Sequence, residues 1–271
     1  MYWGWATTEM TISEDKITIN SGVLGREVVC DILLPEEIDA TQSLNLLLLN
    51  DGQEAESLGL KQTLQSLCEV NKISPTIIVA IHAGEERLQE YGVAGKPDYK
   101  KRGSKADLYT EFIKEELSPA IAELFPAVKF ESTAFAGFSL GGLSALDIAW
   151  NNSELFNKVG VFSGSLWWRS KELCKGYTDA DRIAHTMITG TTAKPKLKFW
   201  LQTGTKDETA DRNGNGIIDS IDDTIDLIKE LEAKDYKRPD DIRYVEVVGG
   251  SHSTETWAKA MPKFLVWAFG K

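Results

Sequence analysis

Gly137-Phe138-Ser139-Leu140-Gly141 is the stretch of this chain best equipped for chemistry. A short apolar run (residues 133–136) leads into it, and an apolar-periodic run through Leu143, Leu146, Ile148 and Ala149 leads out. G-x-S-x-G between a strand pattern and a helix pattern marks a sharp turn that holds a serine hydroxyl clear of the backbone. Such a turn packs backbone on backbone, leaving little room for a Cβ at Gly137 or Gly141. The first N–H groups of the following helix then face the serine, where an oxyanion would form. The plain alternative is a glycine-rich helix start with an ordinary serine cap.

A serine hydroxyl is a poor nucleophile without a base, and the chain has three histidines. His252 follows a strand-like run (residues 242–248), in a turn where Gly249 and Gly250 let the chain fold back over a sheet edge. It is the expected base. His82, also just past a strand pattern, stands second, and His185 lies in a helix-like stretch as a packed residue. In the order serine, acid, histidine, the acid falls between residues 139 and 252. Asp207 follows the strand-like run 196–202 after a short turn; Glu208 is adjacent and Asp211 close behind. The N–H of Leu140 is the first expected oxyanion donor. The N–H of Gln53, beside Gly52 in the turn after another strand, is the second.

A separate motif follows the acid. Residues 211–222 spell D-x-N-x-N-G-x-I-D-x-x-D, with side-chain oxygens from Asp211, Asn213, Asn215, Asp219 and Asp222 at loop positions one, three, five, nine and twelve. Gly216 sits at position six and Ile217 offers a carbonyl at seven, a spacing that wraps calcium. The expectation is a structural Ca2+ in an EF-hand-like loop, bracing the acid-bearing segment and taking no part in catalysis. The bland reading is a polar Asn-Gly turn ahead of a helix.

These residues need a scaffold that gathers strand ends. Residues 44–49 and 76–81 are nearly continuous in apolar character, as for strands covered on both faces. Strand and helix patterns then alternate to the C-terminus, which predicts a mostly parallel sheet with helices on both sides. Ligands bind at the carboxyl ends of such strands; Asp51-Gly52-Gln53, Ser139, Asp207 and His252 all follow strand patterns. Residues 17–20 and 27–34 flank Gly22-Val23-Leu24-Gly25 as a hairpin or meander. Residues 107–125 have helical period, with a kink or a break between two helices expected at Pro119. The irregular stretch 82–104 is long enough to be a lid or pocket wall.

Composition narrows the function classes. A formal charge of −11 over 271 residues disfavours nucleic acid or an anionic membrane as partner. No apolar run reaches membrane-spanning length. Residues 1–5 lack the basic and apolar regions of a signal peptide, so a cytoplasmic location is expected for the chain as given; a periplasmic or secreted one follows if a leader was removed. Cys30, Cys68 and Cys174 fit neither a metal spacing nor a disulfide framework.

With these residues in view, the chain resembles the putative-esterase (esterase D-like) group of α/β-hydrolases, related to enterochelin and salmochelin esterases and feruloyl esterase domains. The likeness runs from about Gly25 to the C-terminus and rests on LLLLNDGQE, IIVAIHAGEERLQEYG, ADLYTEFIKEELSPAI, GFSLGG, VFSGSLWW, LQTGTKDE and GGSHSTETWAKAMPKFL. It implies an α/β-hydrolase fold, a three-layer α/β/α sandwich; the chain length favours one domain over residues 1–271, with the calcium loop, absent from many relatives, inserted at 211–222. It further implies a serine carboxylic-ester hydrolase acting on a small-molecule ester through an acyl-serine. Ser139, Asp207 and His252 would form the triad, with Leu140 and Gln53 as oxyanion donors. Asp51, Gly52, Arg87, Tyr91, Trp167 and Trp168 are the expected pocket residues. Arg87, Glu90 and Tyr91 either face the pocket or pin the loop, and at least one of the two tryptophans is as readily core as wall. Two departures stand out: Asn50-Asp51-Gly52 replaces the His-Gly of many relatives, and the insertion after Asp207 leaves Glu208 open as the acid. Acyl transfer to another alcohol, a peptidase of the same fold and an inactive binding relative are the rival functions.

Overall fold

The computed structural model of the protein describes residues 11–36 and 44–271; residues 1–5, read above for export, lie outside that range. Eight strands form one sheet: β1 (Ile12–Ser21), β2 (Arg26–Pro35), β3 (Leu44–Asn50), β4 (Thr76–Ile81), β5 (Phe130–Phe138), β6 (Lys158–Phe162), β7 (Lys198–Lys206) and β8 (Ile242–Ser251). Their spatial order is β1-β2-β4-β3-β5-β6-β7-β8. β1 and β2 form the expected antiparallel hairpin, and β2 then pairs antiparallel with β4 rather than with its sequence neighbour β3. Every pairing from β4 through β8 is parallel.

The helices are α1 (Leu60–Glu69), α2 (Arg87–Glu90), α3 (Ala106–Glu111), α4 (Ser118–Leu124), α5 (Leu140–Asn151), α6 (Ile183–Gly190), α7 (Asp219–Ala233) and α8 (Thr254–Phe269). Alternate residues of each buried strand serve opposite faces. Leu44, Leu46 and Leu48 of β3 join a core with Tyr109, Ile121, Leu143, Ile183 and Leu227 of α3 to α7. Leu47 and Leu49 join a second core with Leu64 of α1 and Met261, Phe264 and Leu265 of α8. A sheet covered on both faces explains why β3 and β4 read as unbroken apolar runs. This is the α/β-hydrolase sandwich.

Residues 106–124 stay helical, but the winding changes beside Pro119: a π-helical segment at Phe112–Leu117 separates α3 from α4, and Pro119 lies in the first turn of α4. α1 begins after Gly59, which holds a left-handed conformation. Among the described residues no helix is long and apolar enough to cross a membrane. Cys30 and Cys68 are buried, which pushes their thiols up to about 12 and about 11, so they stay protonated and unreactive.

Candidate active site

β5 delivers Ser139 to the carboxyl edge of the sheet. The residue has φ 53 and ψ −121, a left-handed backbone that a non-glycine residue holds only when its surroundings enforce it. The enforcement is visible: the Ser139 N–H donates to the Phe162 carbonyl at 2.9 Å, and the Ser139 carbonyl accepts the Leu143 N–H at 3.2 Å. A Cβ at Gly137 would lie 2.4 Å from the Gly141 carbonyl, and one at Gly141 would lie 2.6 Å from an Asp51 carboxylate oxygen. Both glycines are therefore steric requirements of the bend. Leu140 opens α5, so its N–H is among the helix donors with no intrahelical acceptor.

The end of β3 is tied to this bend. Asn50 is fully buried, its amide donates to the Gly141 carbonyl at 2.8 Å, and its own Oδ1 accepts the Tyr109 hydroxyl at 2.6 Å. Asp51 follows with φ 62 and accepts two hydrogen bonds from the Arg87 guanidinium at 2.6 and 2.8 Å. Gly52 packs so closely on β4 that a Cβ there would meet the Ala80 carbonyl carbon at 2.3 Å. The Gln53 side chain accepts the Ala83 N–H at 3.0 Å, which fixes the short 3₁₀ turn carrying the Gln53 N–H.

A cleft of about 370 Å³ brings together Ser139, Leu140, Asp207, Glu208, His252, Arg87 and Trp167. A second cleft of about 350 Å³ contains Asp51, Gln53 and Trp257, and Arg87 and His252 line both. Of the three histidines only His252 lines either cleft. His82 is bound to Asp31 at 2.6 Å. His185 is buried against the Asp223 carbonyl, and that burial carries its value down to about 4.

His252 stands at the rim, one side open to solvent and the other edge-on to the Trp257 ring at 5.3 Å. Partial desolvation lowers its pKa, the Asp207 carboxylate pulls it up, and the Arg87 guanidinium pushes it down. Asp207 Oδ2 accepts the Gly204 N–H at 2.9 Å and the Ser220 hydroxyl at 3.1 Å, whereas Oδ1 is buried without a partner. Burial raises the Glu208 carboxyl above the usual range; the Ser220 N–H opposes the shift, and nearby carboxylates add to it.

Other expected pocket residues lie deeper. Tyr91 is buried beneath the Arg87 guanidinium, 5.0 Å from its ring centre, and touches Tyr109 edge-on. Trp168 is wholly interior, its indole N–H donating to the Lys96 carbonyl at 3.2 Å. Trp167 alone of the pair reaches the cleft, with Arg102 over its ring at 5.0 Å. Glu90 pins the long loop to β2 through two bonds from Arg26, at 2.8 and 2.6 Å.

The calcium expectation is overturned. Among the described residues no group of three or more His, Cys, Asp and Glu is placed to hold a metal ion. Residues 211–222 satisfy their own oxygens: Asp211 accepts the N–H groups of Gly214, Asn215 and Gly216. Asn213 and Asn215 donate their amides to Asp222 Oδ2 at 3.0 and 2.6 Å, and the side chain of Ile217 is exposed. Asp219 accepts the Arg212 N–H at 2.9 Å. Arg212, at the second loop position, also pairs through its guanidinium with Asp219 and with buried Asp223, which Arg182, just ahead of α6, joins at 2.6 Å. The loop's oxygens thus find their partners within the chain, Asp219 through Arg212, and Asp211 and Asp222 through backbone and amide N–H groups.

Comparison with known proteins now bears on the site. The sequence matches the family described as "Putative esterase" over residues 21–268. The chain belongs to the putative-esterase family. It is 32% identical over 85 residues to the siderophore triacetylfusarinine C esterase of Aspergillus fumigatus, a match covering 30% of this chain and 28% of that protein. It is 26% identical over 172 residues to the iron(III) enterobactin esterase of Escherichia coli O6:H1, covering 62% and 40%. Its fold superposes on the enterobactin esterase of Shigella flexneri with TM-score 0.72 at 21% identity, covering 95% of this chain and 58% of that one. A ferulic acid esterase superposes with TM-score 0.71 at 16% identity, covering 96% and 98%. At these identities the structural likeness is one of fold. The matched segments span less than half the length of the curated relatives of this family member.

Proposed function

We propose that the chain is a serine carboxylic-ester hydrolase acting on a small-molecule ester, with Ser139 as nucleophile, His252 as general base and Asp207 as the acid that orients it. The observation that carries this reading is the shared cleft: a hydroxyl held on a left-handed bend, the one cleft histidine, and a carboxylate with a free buried oxygen acting electrostatically on that histidine. Neutral His252 takes the Ser139 proton as Oγ attacks the ester carbonyl. The tetrahedral oxyanion is held by the N–H groups of Leu140 and Gln53. The imidazolium, balanced by Asp207, returns the proton to the departing alcohol and leaves an acyl-serine, which water attacks with His252 again as base. Mixing the protein with a slowly deacylating aryl ester should add the mass of one acyl group, located on Ser139 by peptide mapping. Turnover without any such adduct, together with modification of a different residue by a serine-directed phosphonate, would reject the assignment.

The pH profile has a defined sign. His252 acts as the neutral base, so kcat/KM should be level at neutral pH and fall as pH drops through the imidazole pKa. Because burial and Arg87 lower that pKa, the acid limb should lie below the ordinary imidazole value of about 6.5. Arg87→Gln removes one lowering influence, so its limb should move to higher pH; a limb that stays put or moves down would show that Arg87 does not act on His252.

A further inference from the structure

The turn after β6 carries a hydroxyl that this mechanism leaves unused. Ser163 adopts φ 44, a strained setting for a residue with a side chain, and its N–H donates to the Gln202 carbonyl at 2.8 Å. Its hydroxyl accepts the Trp257 indole N–H at 3.0 Å, the same ring that supports His252. Two residues on, the Ser165 N–H donates to the Ser139 carbonyl at 3.1 Å, and Ser165 Oγ lies 3.3 Å from Ser139 Oγ. Ser165 is 2% exposed and still lines the cleft. One strained turn is therefore keyed to both the nucleophile and the support of the base.

We propose that Ser165 is a further catalytic residue, whose hydroxyl donates a hydrogen bond to the leaving-group oxygen of the ester. The inference rests on the reading of Ser139 as nucleophile. As Ser139 passes its proton to His252 and attacks, its lone pair accepts the Ser165 O–H. After attack that oxygen is bonded to the acyl carbon and is a weaker acceptor. The Ser165 O–H is then free to turn to another oxygen of the same tetrahedral carbon. Leu140 and Gln53 engage the oxyanion, which leaves the alcohol oxygen for Ser165. As the bond from carbon to that oxygen breaks, its electron pair stays on the oxygen and the His252 imidazolium supplies the proton. Ser165 keeps its own proton throughout. The benefit grows with the basicity of the departing oxygen.

Ser165→Ala should be assayed on a series of acetates that differ only in the alcohol, from p-nitrophenyl to alkyl. Loss of one aimed donor in such a site predicts a fall in kcat/KM of about tenfold for the p-nitrophenyl ester and about a hundredfold for alkyl esters. Ser165→Cys, of similar shape and with a weak donor, should fall between and covers the case in which the alanine variant fails to fold. Equal losses across the series would mean a purely structural role, and no loss would mean no role; either result overturns the inference. If Ser139→Ala retains turnover, the underlying reading fails. If it is inactive while the Ser165 variants keep the wild-type leaving-group dependence, only this inference falls.

Discussion

Ser139→Ala is expected to eliminate turnover of short-chain aryl esters, with kcat falling by about a millionfold, the scale for removing the nucleophile from a site that works as a unit. The variant should still fold. The hydroxyl makes one side-chain contact, to Ser165 Oγ at 3.3 Å, and the deletion leaves Cβ and the hydrogen bonds of the Ser139 backbone in place. Loss of one neutral, half-exposed hydrogen bond costs about 1 kcal/mol, so the melting temperature should change by only a few degrees. Turnover and thermal melting measured together separate this from a folding defect. Turnover within tenfold of the wild type would place the nucleophile elsewhere in the cleft.

Much of the fold was legible because its signals are local. Continuous apolar runs such as Leu44-Asn45-Leu46-Leu47-Leu48-Leu49 belong to strands covered on both faces, Gly137 follows from backbone packing that only glycine tolerates, and Gly141 from the close approach of the Asp51 and Asn50 side chains. Three histidines left few ways to complete a serine site, and His252 is the one the structure brings to the cleft. What could not be read locally involves partners distant in sequence. Nothing in the local pattern of β2 says that it pairs with β4, because the antiparallel register depends on where the β3 to β4 crossover returns. Asn50 has a visible reason for standing in the oxyanion loop only once Tyr109 and Gly141 converge on its amide.

The loop at 211–222 shows the same limit most sharply. Its oxygens have calcium spacing, but the spacing ignores the residue between the first two of them. Arg212 is a cation already attached to the chain, and with Arg182 it saturates Asp223. The partners that satisfy the loop are its own N–H groups and Arg212, and a pattern that counts only oxygens carries no information about either. The consequence for the site is a braced acid loop: Ser220, at the start of α7, donates its hydroxyl to Asp207 and its N–H to Glu208.

That bracing makes the two neighbouring carboxylates separable by experiment. Asp207→Asn should lower kcat on the order of 10⁴-fold, whereas Glu208→Gln should cost less than about tenfold. In Asp207 one oxygen accepts from Gly204 N–H and the Ser220 hydroxyl, while the other has no partner. An asparagine must keep its carbonyl oxygen toward the Gly204 donor, since its NH2 group has nothing to give an N–H. The NH2 then takes the place of the free oxygen and presents a donor where the imidazole needs an acceptor, which favours the wrong tautomer. The same change removes the charge that raises the His252 pKa, so any residual activity should have its acid limb at lower pH than the wild type. Glu208 also lines the cleft, but burial already biases it toward the neutral form that glutamine imitates. A large loss in Glu208→Gln with a mild one in Asp207→Asn would move the acid by one residue, and would require the Glu208 side chain to leave Ser220 and reach His252.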